Sequence, residues 1–401
     1  MTSQPGAEAS GTAALAEPGT GRPPQIRPAP REVLRAVGPR HVVFGLLLVL
    51  VADVLLQDNP VYTYELSIVL IYVLAAVGQE WLVGRAGQVS IGAAAFMAVG
   101  AFTGARIAEA GWGDFPLPLI GAALVGGAVG LITGLTGLRF RGLYLLLATL
   151  ALQFVVSFCA QEYEGQSGGL AVPAAHIGGT QFASSRSFSV LELIVVAVVM
   201  ALLAGLYKRG PGRIWRAIRQ DEMVAAVAGI NTTRWKLAAF VGSSAVTAMA
   251  GALLAYQSQL VSYQTFSLDL AISVLVMVFV GGQGSMLGAI LGASLVILLP
   301  FELQRVGTAT AASMPNLSSW LSINAATVDD AVYGFVLLLV LLYERDGLVG
   351  LGGRIVRVVQ ARRSRGTAGL HHGAAGLHHG AAGLHRGTAG LHRGTAKEEG
   401  S

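Results

Sequence analysis

Apolar residues run along this chain in long blocks separated by short polar stretches, and nowhere do they alternate at strand spacing for any length. A block of about 20 apolar residues matches the hydrocarbon core that one helix crosses, roughly 30 Å, and shorter blocks suffice where flanking side chains snorkel. About ten such spans are predicted. They lie at approximately 41–57, 66–83, 88–108, 117–137, 142–160, 189–207, 236–256, 268–282, 286–304 and 329–343. The pattern predicts an all-α polytopic membrane protein, with a disordered N-terminal tail over 1–40, a membrane domain over 41–350 and a low-complexity tail over 351–401.

One interruption stands apart from the others. Residues 208–235 separate two long apolar blocks and include GRIWRAIRQDEMVAAVAGINTTRW, an arginine-rich amphipathic stretch that cannot lie in lipid. Asp221 is placed to cap a short helix and Gly229 to stop it, while Asn231, Thr232 and Thr233 offer caps for the apolar helix that follows. Ile214, Ala217, Ile218 and Ala225 can form an apolar stripe, with Arg213, Arg216, Arg219, Asp221 and Glu222 along its rim. A solvated basic loop would explain the arginines but not the ordered caps and the stripe, so the loop is expected to dock on a partner.

Composition and charge narrow the class. The chain is 53% hydrophobic and only 12% charged, with 53 glycines, a profile that excludes an ordinary water-soluble domain. With the N-terminus inside and every span crossing, only Arg106, Arg186 and Arg305 of the 27 lysines and arginines fall outside. The positive-inside rule then places both termini and residues 208–235 in the cytoplasm and the Gln161 to Ser187 loop outside. The net charge of +5 reads as topology and attraction to anionic lipid, and no nucleic-acid partner is expected.

Chemistry of its own is sparse. A nucleotide-hydrolysing loop needs Gly-Lys followed by Ser or Thr, and Lys208, Lys236 and Lys397 all lack that context. Asp53, Glu80, Glu192, Asp269, Glu302, Asp329 and Asp330 fall near predicted span ends, whereas ion-coupled carriers hold ionisable groups near the midplane. Backbone carbonyls at broken helices also bind sodium, so a secondary carrier or channel stays open as an alternative, as does a membrane-embedded scaffold. Cys159 in an apolar block reads as a small buried hydrophobe, and His41 and His176 have no partner nearby in sequence. Gly369 to Ala396 repeats GLHHGAA and then GLHRGTA, each twice. Its glycines, at about 1 kcal/mol each in a helix, rule out a coiled coil, and no dedicated metal site is expected from His371, His372, His378 and His379.

Two glycine-rich runs shape the predicted bundle. In the first, Gly92, Gly100 and Gly104 alternate with alanines and permit close helix approach, while Gln88 and Ser90 either line a path or bond a neighbouring helix. In the second, Gly281, Gly282, Gly284, Gly288 and Gly292 supply a tight turn and close packing between two spans.

The runs GQVSIGAAAFMAVGAFT, FRGLYLLLATLAL, GRIWRAIRQDEMVAAVAGINTTRWKLAAFVGSSAVTAMAGAL, FSLDLAISVLVMVFVGGQGSMLGAILGA and VYGFVLLLVLLYERDGLVG occur in that order. Together they resemble the LivM-type permease subunits of branched-chain amino acid ABC importers, over roughly Leu66 to Gly350. The resemblance implies a bacterial plasma-membrane permease paired with a related second permease, two cytoplasmic ATPase subunits and an extracytoplasmic solute-binding protein. ATP and Mg would then be used by the ATPase subunits, with no cofactor bound by this chain. By position, Arg213 to Ile230 resembles the loop that couples the permease to its ATPase. The chain departs from the family at Ala93, where His is common, and at Arg345-Asp346-Gly347-Leu348, where Pro usually precedes the closing Gly-Leu. Importers of urea, short amides and other amino acids share much of the framework, so they remain alternatives.

Overall fold

The computed structural model describes residues 60–111, 114–137, 143–165, 168–177, 180–182 and 185–311, together with 334–335, 338 and 347–350. The predicted span at 41–57, most of that at 329–343, both tails and the heptapeptide repeat lie outside the described residues. Within them the apolar blocks from 66 to 304 form helices: α1 Pro60–Glu80, α2 Ala93–Glu109, α3 Leu117–Gly137, α4 Leu143–Glu164 and α5 Ser185–Lys208. Two short helices follow, α6 Gly210–Gln220 and α7 Glu222–Val227, and then α8 Thr232–Ser258, α9 Leu268–Gly281 and α10 Met286–Ala311.

Five helical stretches among the described residues are long and apolar enough to cross a membrane: Val61–Arg85, Leu117–Gly137, Tyr144–Glu164, Arg186–Lys208 and Thr232–Ser258. Leu268–Gly281 and Met286–Glu302 are shorter apolar helices. A 21-residue helix such as α3 rises about 31 Å at 1.5 Å per residue, enough for the hydrocarbon core.

The centre of the bundle is α8, which packs on α3, α2 and α1. Its Phe240, Ala248, Ala252 and Leu253 are wholly enclosed, as are Ile71, Leu74, Ala75 and Ala76 of α1. Small residues set the spacing. A Cβ built on Gly100 of α2 would overlap the Ala248 carbonyl, and one on Gly251 of α8 would overlap the Met97 carbonyl, so these helices meet backbone to backbone. By contrast, α4 lies at the periphery and exposes Tyr144, Leu147, Phe154 and Phe158, side chains that lipid solvates as readily as protein does. Cys159 is exposed on this same helix. The expectation of a buried cysteine is corrected here: an apolar helix at the edge of a membrane bundle presents apolar residues on its outer face too.

The span predicted at 88–108 also needs correction, since α2 begins at Ala93 and residues 86–92 are non-helical. The end of α1 instead widens into a π-helical turn, Trp81–Arg85, and the chain then breaks at Gly87, whose φ of +70° is in the left-handed region. Small strands add to the helical class at the other end of the bundle. There β1 Leu170–Ala171 pairs antiparallel with β4 Leu260–Val261, and β2 His176–Ile177 pairs with β3 Thr180–Gln181. Glu164 at the end of α4 fastens this region, accepting from Ser262 Oγ at 3.2 Å and from the Tyr263 N–H at 2.6 Å.

Candidate functional site

The loop between α5 and α8 folds as its polar residues predict. Pro211 opens α6, where its missing N–H is not needed, and Gly212, Trp215 and Ile218 turn inward at three-residue spacing. The helix ends where Asp221 becomes extended and its carboxylate accepts from the N–H groups of Met223 at 2.8 Å and Val224 at 3.1 Å, starting α7. Gly229, at φ +83°, reverses the chain after α7, and Asn231 Oδ1 accepts from the Arg234 N–H at 3.1 Å to start α8.

Aromatic rings seat α6 against the bundle. Trp215 lies edge-on to Trp81 at 5.3 Å and to Trp235 at 5.8 Å, and its indole N–H donates to the Trp235 carbonyl at 2.8 Å. Trp81 in turn meets Tyr207 at 6.2 Å, and the Arg85 guanidinium stacks over Tyr207 at 4.6 Å.

This seating turns part of the expected stripe inward. Ile218 and Ala225 are only 4% and 3% exposed and are covered by this chain itself, so neither is free to enter a partner; Ile214 and Ala217 are half-buried. The free apolar side chains are instead Met223, Val224 and Val227 of α7, at 77%, 65% and 87% exposure. Periodicity identifies a stripe but not which neighbour covers it. The rim residues Arg213, Arg216, Arg219, Asp221 and Glu222 are all exposed, with Arg216 Nε donating to the Gly212 carbonyl at 3.3 Å. Asp221 is used as a cap, and Glu222 pairs with Lys236 at 2.7 Å. Arg219 turns back to the bundle, donating to the Gly84 carbonyl and to Gln283 Oε1, the latter at 3.3 Å.

The candidate path residues stand in the break before α2. Gln88 is buried and its amide donates to the Lys236 carbonyl at 3.1 Å. Ser90 is buried too, its carbonyl accepting from Gln79 Nε2 at 2.6 Å and its hydroxyl from the Gly92 N–H at 3.1 Å. Thr149 Oγ1 of α4 accepts from the Ile91 N–H at 3.1 Å. In this chain alone these polar groups brace a broken helix. A groove of about 490 Å³ lies elsewhere, between α2 and α4, lined by Val99, Phe102, Arg106, Val156, Cys159 and Tyr163.

The second glycine run forms the α9–α10 hairpin. Gly282 and Gly284 adopt φ of +109° and +89° in its turn, while a Cβ on Gly281 would overlap the Gly288 carbonyl and one on Gly292 the Met277 carbonyl. Gly347 approaches the same turn, since a Cβ there would lie 2.5 Å from Gly282 Cα.

Glu80, placed by the sequence near a span end and given no role there, sits at the end of α1. Glu80 is fully buried, with Arg85 Nε at 3.6 Å from its Oε1. Gly84 has no room for a side chain: a Cβ would collide with the Glu80 carboxylate and lie 2.7 Å from the Gly284 nitrogen. The signal available in sequence was a Glu and an Arg closing one apolar block, EWLVGR, around a tryptophan.

A bundle of apolar helices, with a pair of short amphipathic helices seated against one end, defines a multi-pass membrane protein. The family described as branched-chain amino acid transport system / permease component matches residues 62–341, and the chain belongs to it. The chain is 31% identical over 263 residues to the high-affinity branched-chain amino acid transport system permease protein LivM of Salmonella typhimurium, covering 58% of this chain and 61% of that one. The protein of the same name in Escherichia coli is 29% identical over 263 residues, with the same coverage of 58% and 61%. The probable branched-chain amino acid transport permease protein LivM of Methanocaldococcus jannaschii is 24% identical over 247 residues, covering 60% of this chain and 69% of that one. The chain thus spans 61% of the length of its Salmonella and Escherichia relatives. No solved structure matches it.

Proposed function

We propose that this chain is a transmembrane permease subunit of an ATP-driven importer of branched-chain amino acids, pairing with a second, related permease. The observation that carries the reading is the family match over 62–341, which takes in helices α1 to α10, but for the first two residues of α1, and the seated loop between α5 and α8. ATP and Mg are handled by two separate ATPase subunits in the cytoplasm, and an extracytoplasmic binding protein delivers the solute. Both termini are cytoplasmic in the bacterial inner membrane, in keeping with the distribution of basic residues.

On this reading residues 208–235 couple the ATPase to the bundle. The contact surface is α7, whose Met223, Val224 and Val227 project from the chain, together with the exposed Arg213 and Arg216 of the preceding helix. An apolar knob of this kind, with arginines on the helix before it, suits a cleft with acidic margins. ATP binding displaces the loop as a unit, and the helices rock between inward-open and outward-open states.

The test is reconstitution of the chain with its second permease, ATPase pair and binding protein in proteoliposomes. Uptake of leucine, isoleucine or valine is expected to need both ATP on the loop side and loaded binding protein on the other. Uptake that follows an imposed proton or sodium gradient without ATP would replace this reading with an ion-coupled carrier. Uptake of urea or short amides alone would keep the mechanism and change the solute.

A further inference from the structure

Arg219 is the residue of the coupling loop that reaches two other parts of the bundle at once. Its aliphatic stem runs beside Gly87, where a Cβ would lie 3.3 Å from Arg219 Cγ. Its guanidinium donates through Nη1 to the Gly84 carbonyl in the π-helical turn and through Nη2 to Gln283 in the α9–α10 turn. A planar guanidinium with fixed donor directions holds such acceptors in a set geometry, which an ammonium on a flexible stem does not.

Beneath this contact lies the buried Glu80 carboxylate. Arg85 Nε is 3.6 Å away. The bond from Arg219 to the Gly84 carbonyl, with Gly84 packed on Glu80, ties the position of Arg219 to the end of α1. The packing leaves no slack: Gly84 is hemmed in by Glu80 and Gly284, and a Cβ on Gly284 would lie 3.1 Å from Arg219 Nη1. Immediately after this joint the chain enters the break at 86–92, where Gln88 and Ser90 brace the start of α2. Broken segments at helix ends are where a bundle absorbs large changes in φ and ψ.

We propose that Arg219 is a positioning residue, a strut that carries displacement of the 208–235 loop into the joint of Glu80, Gly84 and Gln283 and so into the broken helix at 86–92. The inference rests on the reading of that loop as the ATPase-coupling element. In this arrangement Arg219 does not hold the ATPase; it makes ATPase movement useful to the bundle.

The experiment uses the complete importer in proteoliposomes and compares Arg219→Gln with an Arg216→Glu, Met223→Glu double variant. Three quantities are followed: co-purified ATPase, ATP hydrolysis stimulated by loaded binding protein, and branched-chain amino acid uptake. For Arg219→Gln, ATPase yield is expected within about twofold of the parent, while uptake per ATP hydrolysed falls about tenfold, inside the range of ordinary allosteric coupling. Unchanged uptake per ATP would overturn the strut. So would loss of ATPase from the complex, which would make Arg219 a direct ATPase contact or a structural residue. The double variant judges the underlying reading independently: if it retains the ATPase and full uptake, the coupling role of the loop falls, whatever Arg219 does.

A covalent replacement controls for folding. In a Cys159→Ala background, Arg219→Cys with Gln283→Cys is measured before and after bridging with a short bis-thiol reagent, within one preparation. Bridging is expected to raise uptake per ATP at least about threefold, the lower end of measurable coupling. Equal ratios before and after would overturn the proposal.

Discussion

At the scale of single residues, the absence of a side chain decides most. Gly100 allows α2 and α8 to touch through their backbones, because a Cβ there would overlap the Ala248 carbonyl. Backbone cannot step aside as the tip of a flexible side chain can, so Gly100→Val is expected to destabilise the bundle by about 1–3 kcal/mol or more. Thermal unfolding in detergent should show a lowered transition, while Gly205→Ala, which meets nothing within 4 Å on α5, should match or slightly exceed the parent. An unchanged transition for Gly100→Val would mean that the two helices are further apart than described. The close-packing role of Gly100 and Gly104 was legible because both belong to one helix and their spacing is helical. The joint was not. Gly84 and Arg219 are 135 positions apart, and nothing in one sequence says that an arginine placed on the rim of a docking stripe bonds a carbonyl in the π-helical turn after α1.

At the scale of elements, the double helix α6–α7 divides its apolar residues between two tasks. Trp215, Ile218 and Ala225 hold the loop to its own bundle, and Met223, Val224 and Val227 are left outside. Substitutions should separate accordingly. Val227→Glu with Met223→Glu is expected to weaken ATPase association at least about tenfold, since burial of one such side chain contributes about 1.5–3 kcal/mol. The membrane bundle itself should keep its unfolding temperature. Ile218→Glu should do the reverse first, lowering that temperature by placing a charge against Trp215 and its neighbours. Co-purification and thermal unfolding of the same samples check both, and equal behaviour of the two variants would erase the distinction. The caps at Asp221 and Asn231 were readable from sequence because a cap is a local bond over two or three residues. Which face each helix buries depends on neighbours brought from far along the chain, and periodicity alone does not say that Ile218 and Ala225 turn inward.

For the whole molecule, the described connections sort onto two ends. Residues 81–92, the loop from 208 to 232 and the turn at 282–284 meet at one end through Arg219, Gln88 and Trp215. At the other, β1 pairs with β4 and Glu164 bonds Ser262 and Tyr263. On the orientation proposed above from the basic residues, the first end faces the cytoplasm. In a Cys159→Ala background, Ala171→Cys is therefore expected to react with an impermeant thiol reagent from outside and Arg213→Cys only after the membrane is opened. The opposite pattern would invert the orientation and detach the loop from any cytoplasmic ATPase. The apolar helices between 66 and 304 were legible because hydrophobic length is a direct physical requirement of the bilayer, and five of the described stretches are long enough to cross it. The break at 86–92 escaped because its polar residues are few and are satisfied by bonds to distant carbonyls and hydroxyls.

Trp81, Trp215 and Trp235, three of the five tryptophans in the chain, stand edge to edge where the loop meets the bundle. The protein thereby carries an optical gauge at the place where the proposed coupling would pass. Indoles at 5.3 and 5.8 Å exchange excitation, and the indole N–H of Trp215 is bound to a carbonyl, so its emission depends on whether the loop is seated. Adding ATP to the assembled complex should change the intrinsic fluorescence in step with turnover, without any attached dye. Trp215→Phe should remove most of that signal; a full signal in its absence would place the moving contact elsewhere.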